Sequence, residues 1–312
     1  LFRTAFDLAG VPASIDLVPE ANRLAPDELR TRIQGAAAVV TPLTLRVDAA
    51  LLDAAGPSLQ VVANYAVGYD NIDLAACAAR GVTVCNGPPP MTEPTADIAW
   101  ALLLGAARRV REGLDLARSG EWRGYDAQLL LGHRLTGGTL LIVGAGRIGA
   151  AVARRSLGWN MRVLYTARTP KPGIEAAPID AMRTTLADGL AEADAVVVTT
   201  AFTPETRHLI VATALARMKS SAVLVNVSRG PVVDEQALAD ALADGTIFAA
   251  GLDVYEREPT IHPSLVNLPN ALLLPHLGSS TVEDRTDLTA LCADNVAAVL
   301  SGRTPPFQVT TG

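Results

Sequence analysis

Three polar features stand just beyond apolar runs in the second half of the chain: Arg229 after residues 222–227, the acids Asp253, Glu256 and Glu258 after 248–252, and His276 after 272–274. An arginine can clamp a carboxylate and polarise a carbonyl, and a histidine can give or take a proton near neutral pH. A carboxylate on the second ring nitrogen favours the imidazolium and fixes the ring. The trio therefore reads as an acid–base set. Read singly, each has an ordinary alternative: a strand-end histidine is more often structural, Arg229 could form a surface ion pair, and Glu258 could be a solvated loop carboxylate.

A second pattern lies upstream. The apolar run 139–143 leads into Gly144, Gly146 and Gly149, spaced as G-x-G-x-x-G, and a helical register follows at 150–154. In that setting Gly144 allows a tight turn and Gly146 lets a pyrophosphate approach the backbone. Gly149 permits close helix–strand packing, and the helix start offers N–H groups and a positive dipole end. This is a dinucleotide fingerprint. An NAD site usually places a carboxylate at the end of the next strand for the ribose 2′-hydroxyl, but no Asp or Glu occurs from 150 to 174. Arg168, with Thr166 and Thr169, would instead meet a 2′-phosphate, so NADP(H) is the preferred cofactor and NAD(H) the alternative.

The elements that must position these residues follow from patterning. Short apolar runs alternate with amphipathic stretches throughout, the signature of βαβ units in an α/β protein. Strands are expected at 15–18, 37–40, 59–63 and 82–85, with helices near 26–33, 48–55 and 74–79. A second series of six strands is expected at 139–143, 162–165, 195–200, 222–227, 248–252 and 272–274, as suits a Rossmann sheet. A long helix is expected at 95–109 and another at 282–300. If the last helix returns to the first domain, residues 1–93 and 282–312 form a discontinuous substrate domain and 94–281 the dinucleotide-binding domain.

Composition sets the outer limits. The chain has 312 residues, 26 Lys+Arg against 32 Asp+Glu for a formal charge of −6, 49% hydrophobic and 19% charged. With no block of basic residues it offers no footprint for nucleic acid, and no apolar run is long enough to span a membrane. Residues 1–20 lack the apolar core of a signal peptide. Three widely spaced cysteines, Cys77, Cys85 and Cys292, suggest neither a disulfide framework nor a zinc site, and His133, His208 and His262 have no metal spacing. A reducing cytoplasm is the expected compartment, and no metal is expected. Opening at Leu1 without Met predicts a short preceding piece.

Seven motifs in order carry a resemblance: 64–73, 95–99, the Gly144 fingerprint, 202–208, 226–230, 253–259 and 275–279. The sequence resembles the D-isomer-specific 2-hydroxyacid dehydrogenases, and within them the glyoxylate/hydroxypyruvate reductase branch. The resemblance implies a Rossmann domain beside a smaller flavodoxin-like α/β substrate domain. It implies NADPH-dependent reduction of a small 2-keto acid to the D-2-hydroxy acid, with Arg229, Glu258 and His276 catalytic and Glu256 facing solvent. The N–H groups of Val67 and Gly68 are implied to bind the substrate carboxylate. Arg147 and Ile148 at the fingerprint, Thr95, Thr203, Pro204, Val227 and Gly278 are implied to line the cofactor, and Asp253 to lie near the nicotinamide carboxamide.

A homodimer is implied as well, with Trp122 in its interface or a core rather than on substrate. Tyr125 stands where relatives often carry a second Trp that reaches the partner's pocket, a departure that bears on substrate preference. Phosphoglycerate-type dehydrogenases have an Arg-Ser pair where this chain has Thr41 and Pro42. An NAD(H)-linked D-2-hydroxyacid or phosphoglycerate-type dehydrogenase is the first alternative. Dinucleotide-sensing corepressors are the second, separable by steady NADPH oxidation with glyoxylate or hydroxypyruvate.

Overall fold

The structure, a computed structural model, describes residues 3–4, 14–18 and 24–310. The chain divides into two compact units, one of residues 1–91 and 279–312 and the other of residues 92–278. The smaller unit holds a parallel sheet of β1 (Ala38–Thr41), β2 (Val61–Asn64) and β3 (Thr83–Cys85), paired in that order. Helices among its described residues include Pro26–Arg32, Ala49–Ala55, Leu74–Ala79 and Val282–Leu300. Asp48 and Asp73 cap the second and third of these by accepting the N–H of Leu51 and Ala76, and Thr281 caps the last through Asp284.

The strand expected at 15–18 is not there; those residues carry no regular structure. A strand exists only through its ladder, and among the described residues β1 pairs with β2 alone. Asp16 instead forms an exposed ion pair with Arg32 at 2.7 Å, and Leu17 faces solvent. On the opposite edge the C-terminal tail lies against β3, where Val309 N–H donates to Val84 C=O and Asn86 N–H to Phe307 C=O.

The larger unit is a seven-stranded parallel sheet in the order β10-β9-β8-β7-β4-β5-β6. Its strands are β4 (Thr139–Val143), β5 (Arg162–Thr166), β6 (Met182–Arg183), β7 (Ala195–Val198), β8 (Val223–Asn226), β9 (Ala249–Leu252) and β10 (Ala271–Leu273). β6 was not expected: it is two residues long and exposed, too short for a hydropathy pattern. The central strands are buried on both faces, so they read as continuous apolar runs. Within β4, Leu140 and Ile142 join one core and Leu141 and Val143 the other, the two-residue period of a pleated strand.

The helices Thr92–Ala107 and Arg147–Ser156 contribute to the first core, and Leu186–Glu192 and Glu235–Ala243 to the second. Close approach of the helix Thr92–Ala107 to β9 needs glycine: a Cβ on Gly251 would lie 2.8 Å from the Leu102 Cβ. Trp100 stacks on Trp159 with centroids 5.8 Å apart and donates its indole N–H to Val152 C=O at 3.1 Å, which locks the fingerprint helix to its neighbour.

The helix expected over 95–109 starts earlier and stops at Ala107. Arg109 takes a left-handed backbone, φ 52°, and a second helix, Val110–Ser119, begins. Its guanidinium closes on Glu112 with Nε–H donating at 2.8 Å, a local reward for the turn that helical periodicity does not reveal. No described helix is long and apolar enough to cross a membrane. The three cysteines are buried and unbridged.

Candidate active site

All the larger unit's strands run the same way, so the residues just beyond their carboxyl ends share one edge of the sheet. The chain builds β4, β5 and β6 outward in one direction, then returns to place β7 on the other side of β4. That reversal opens the crevice where such sheets bind ligands.

The fingerprint sits at this point. Gly144 has φ +99°, and a Cβ there would meet the Thr200 backbone nitrogen at 2.6 Å. Gly149 packs so tightly that a Cβ would lie 2.5 Å from Gly144 C=O and 2.9 Å from Ile142 Cγ2. Gly146 differs: it caps the helix Arg147–Ser156 and a Cβ would meet nothing within 4 Å. The open space at Gly146, beside first-turn N–H groups that a helix cannot pair internally, fits a pyrophosphate. Arg147 and Ile148 form that first turn.

At the end of β5, Thr166 C=O accepts the Gly144 N–H at 3.1 Å, and Arg168 and Thr169 are exposed. Sequence reasoning missed what shapes this loop. Arg183 of β6 donates to the carbonyls of Ala167 (3.1 Å) and Arg168 (2.9 Å), which adds a second guanidinium beside Arg168. Buried Tyr165 accepts the Lys171 N–H and donates to Glu175. Beyond β7, Thr203 and Pro204 open a 3₁₀ turn in which Thr203 and Thr206 cap each other.

The polar trio comes together through backbone scaffolding. Asn226 at the end of β8 accepts the Ser228 N–H (3.0 Å) and donates to Arg229 C=O (3.0 Å), which fixes the turn through Val227 to Arg229. Beyond β9, Asp253 is buried and gives one oxygen to the Leu277 N–H (2.6 Å) and the other to the Gly278 N–H (2.7 Å). These bonds hold His276 in a left-handed conformation, φ 55°. Burial pushes the Asp253 carboxyl up, while the two N–H groups and His276 draw it back. Thr95, in the first turn of its helix, lies under Gly278, where a Cβ would come within 3.4 Å of its side chain.

Glu258 Oε2 lies 2.8 Å from His276 Nδ1, and its Oε1 accepts the Tyr255 N–H at 3.0 Å. Burial on its own would raise this carboxyl, but the His276 hydrogen bond and charge, the Tyr255 N–H and the positive field of Arg229 outweigh it. The carboxyl is held below the usual range. Glu258 is thus ionised near neutral pH, half-buried beside a histidine whose Nε2 remains for proton transfer, with a guanidinium within electrostatic reach. Such a group can protonate a developing alkoxide and hold an anionic substrate.

Glu256 does not face solvent as expected. Its side chain turns inward, accepts the Glu235 N–H at 3.1 Å and lies 3.2 Å from His208 Nε2. Nothing in the sequence marked this, because Glu235 follows the N-cap Asp234 and looks like an ordinary exposed first-turn acid. His133 packs edge-on against Phe248, and His262 keeps a buried Nδ1 with no hydrogen-bond partner. Among the described residues no group of three or more His, Cys, Asp or Glu could hold a metal.

Val67 and Gly68 belong to the smaller unit, in the loop after β2. Asn86 Nδ2 donates to Val67 C=O (2.7 Å) and Asn64 Nδ2 to Gly68 C=O (2.6 Å). Both carbonyls are thereby occupied, and among the described residues no acceptor takes either N–H. Asn64, fully buried, and Asn86 are functional candidates that the sequence reading did not single out.

The chain is similar to known proteins over most of its length. Residues 100–278 match the family model for the NAD binding domain of D-isomer specific 2-hydroxyacid dehydrogenases. A glyoxylate reductase of Thermococcus kodakarensis is 44% identical over 299 residues, 95% of this chain and 89% of the relative. The crystal structure of a glyoxylate reductase from Paecilomyes thermophila superposes with a TM-score of 0.86 at 32% identity, covering 98% of this chain and 94% of that one. An NADPH-dependent glyoxylate/hydroxypyruvate reductase from Sinorhizobium meliloti, solved with NADP and malonate, gives 0.80 at 34% identity, covering 93% and 87%.

The two kinds of fingerprint glycine predict separable phenotypes. Gly149→Ala should lower stability by about 1–3 kcal/mol through overpacking, read by denaturant unfolding. Gly146→Ala should leave stability within about 0.5 kcal/mol, because the site is open, yet weaken binding of the reduced nicotinamide dinucleotide by about tenfold or more in a fluorescence titration. Equal behaviour of the two variants would contradict the distinction.

Proposed function

The chain belongs to the D-isomer-specific 2-hydroxyacid dehydrogenase family, and on that premise we propose that it uses NADPH to reduce glyoxylate, hydroxypyruvate or a similarly small 2-keto acid to the D-2-hydroxy acid. It is an oxidoreductase with a nicotinamide dinucleotide site, and its reductase relatives support keto-acid reduction as the reaction. The observation that carries the proposal is the 2.8 Å contact of His276 with Glu258, within the field of Arg229.

Each residue then has one task. A bound nicotinamide supplies the hydride. Arg229 pairs with the substrate's carboxylate and carbonyl, whose negative charge grows as the carbonyl is reduced. His276, oriented by Glu258 on its Nδ1, gives its Nε2 proton to the developing alkoxide. The N–H groups of Val67 and Gly68 are offered to a carboxylate. Asp253 holds the His276 turn and stands near the carboxamide, with Thr95, Val227 and Gly278 beside the nicotinamide. Thr203 and Pro204, with the turn from Gly144 to Gly149, line the rest of the dinucleotide. Residues 1–91 with 279–312 serve as the substrate domain.

NADPH preference rests on Arg168, with Thr166 and Thr169, at a strand end that carries no acid from 150 to 174. The second guanidinium, Arg183, adds positive charge there. A homodimer through residues 110–131 is the reading supported by the apolar side chains that this stretch exposes, among them Leu114, Trp122 (60% exposed), Tyr125 (94%) and Leu131. Buried, unbridged thiols agree with a reducing cytoplasm as the compartment.

Four outcomes are expected. His276→Ala should lower kcat for glyoxylate reduction by about 10²- to 10⁴-fold. In Glu258→Gln the alkaline limb of the kcat profile should move to lower pH, because the imidazolium required for reduction loses the carboxylate that favours it. An unmoved limb would refute the coupled pair. Arg168→Ala should cut the NADPH-over-NADH preference in kcat/KM by about ten- to a hundredfold, the loss of a charge-assisted contact worth ~1.5–3 kcal/mol; equal use of both cofactors by the wild type would end that part of the proposal. Light scattering should find a dimer, and Trp122→Asp should shift it toward monomer; a wild-type monomer at micromolar concentration would exclude the interface.

A further inference from the structure

The loop after β9 carries two glutamates two positions apart, and each meets a different histidine: Glu258 with His276 and Glu256 with His208. The second pair lies outside the acid–base set, yet it is tied to the backbone that holds that set. Glu256 Oε1 accepts the Glu235 N–H at 3.1 Å, and in return Glu235 Oε1 accepts the Glu256 N–H at 2.8 Å. Glu235 is buried at the start of the helix Glu235–Ala243, where burial pushes its carboxyl up and the Glu256 N–H pulls it back. On the other side lies Gly230, whose missing Cβ would overlap the carbonyl of Tyr255 and the nitrogen of Glu256. The Tyr255–Glu256 peptide is therefore wedged between the turn that carries Arg229 and a helix start.

That fixed peptide passes its position to both members of the proton-transfer pair. The Tyr255 N–H donates to Glu258 Oε1 at 3.0 Å, and the Tyr255 hydroxyl donates to Leu274 C=O at 2.8 Å, two residues before His276. A shift of the peptide by a few tenths of an ångström would move the carboxylate relative to the ring. Hydrogen-bond geometry is steep enough for such a shift to weaken the contact. The charged and titratable groups around Glu256 and Glu235 include His208, Tyr255, Arg257 and His262.

We infer that Glu256, reciprocally bonded to Glu235 and paired with His208, is a positioning residue that sets Glu258 against His276. The inference rests on the reading of His276 as proton donor, and the test separates the two. Glu256→Ala, Glu256→Gln and Glu256→Asp are compared with Glu258→Gln in the full chain. The measurements are kcat and KM for glyoxylate reduction from pH 5 to 9, NADPH affinity by fluorescence, and the downfield Nδ1 proton of His276 by NMR, assigned through its loss in His276→Ala.

Glu256→Ala should lower kcat by about tenfold or more, move the alkaline limb in the direction of Glu258→Gln, and broaden or lose the His276 proton signal. NADPH affinity should stay within about twofold, since no cofactor contact is touched. Glu256→Gln keeps an acceptor for the Glu235 N–H and should restore both limb and proton signal. A folded Glu256→Ala with a wild-type limb and an unchanged His276 proton overturns the inference, as does a uniform loss of kcat at every pH. If the alanine variant does not fold, Glu256→Asp, shorter by one methylene, gives the same readouts, and an unmoved His276 proton there is equally decisive. Loss of the limb shift in Glu258→Gln itself would instead remove the proton-donor reading; the NMR arm would still report on the brace.

Discussion

The pairing of β4 with β7 governs the larger unit, because it is where a chain that has been adding parallel strands on one side starts adding them on the other. Loops leaving adjacent strands normally cover the sheet edge; where the direction reverses they part, and the crevice remains. Gly144 shows how closely this point is built, with the Thr199 hydroxyl donating to its carbonyl at 2.7 Å and the Thr200 backbone filling the place of a side chain. Every candidate catalytic or cofactor residue of this unit except Thr95 then follows from which strand precedes it.

Placement at a strand end does not by itself orient a side chain, and here the orientation is set by backbone donors and acceptors. Asp253 spends both oxygens on the turn that carries His276, and Asn226 closes the turn that carries Arg229. Gly230 lets the Tyr255–Glu258 loop lie directly on the Arg229 turn. Carboxylates and amides that accept or donate to main-chain groups are more rigid than pairs of long side chains, since one partner has no rotamers to lose. The smaller unit uses the same device, with Asn64 and Asn86 turning the Val67 and Gly68 carbonyls aside from their N–H groups.

The acid at position 256 shows where local reasoning ends. Glu256 and Glu258 have the same residue type, lie in the same loop and have similar neighbours in sequence. Each finds a histidine, but His208 comes from the turn after β7 and His276 from the end of β10, and no pattern in the loop distinguishes them. The split helix at Arg109 and the unpaired stretch at 15–18 have the same origin. An ion pair with Glu112 and the absence of a ladder partner among the described residues account for them, and neither is visible in hydrophobic periodicity.

The sequence by itself determined the α/β class, six of the seven strands of the larger sheet, the helix Val282–Leu300 and the glycine turn, because periodicity and glycine spacing are local and reflect burial directly. It also brought Arg229, His276 and an acid of the 253–258 loop to the sheet's edge, since polar residues after apolar strands must emerge there, while the choice of Glu258 over Glu256 came from the resemblance and not from any local pattern. Tertiary structure alone decided which groups hold that trio: Asp253 on the His276 turn, Glu235 against Glu256, and Arg183 on the loop of Arg168. These contacts join residues 15 to 25 positions apart through hydrogen bonds whose geometry exists only once the sheet has brought the strand ends together.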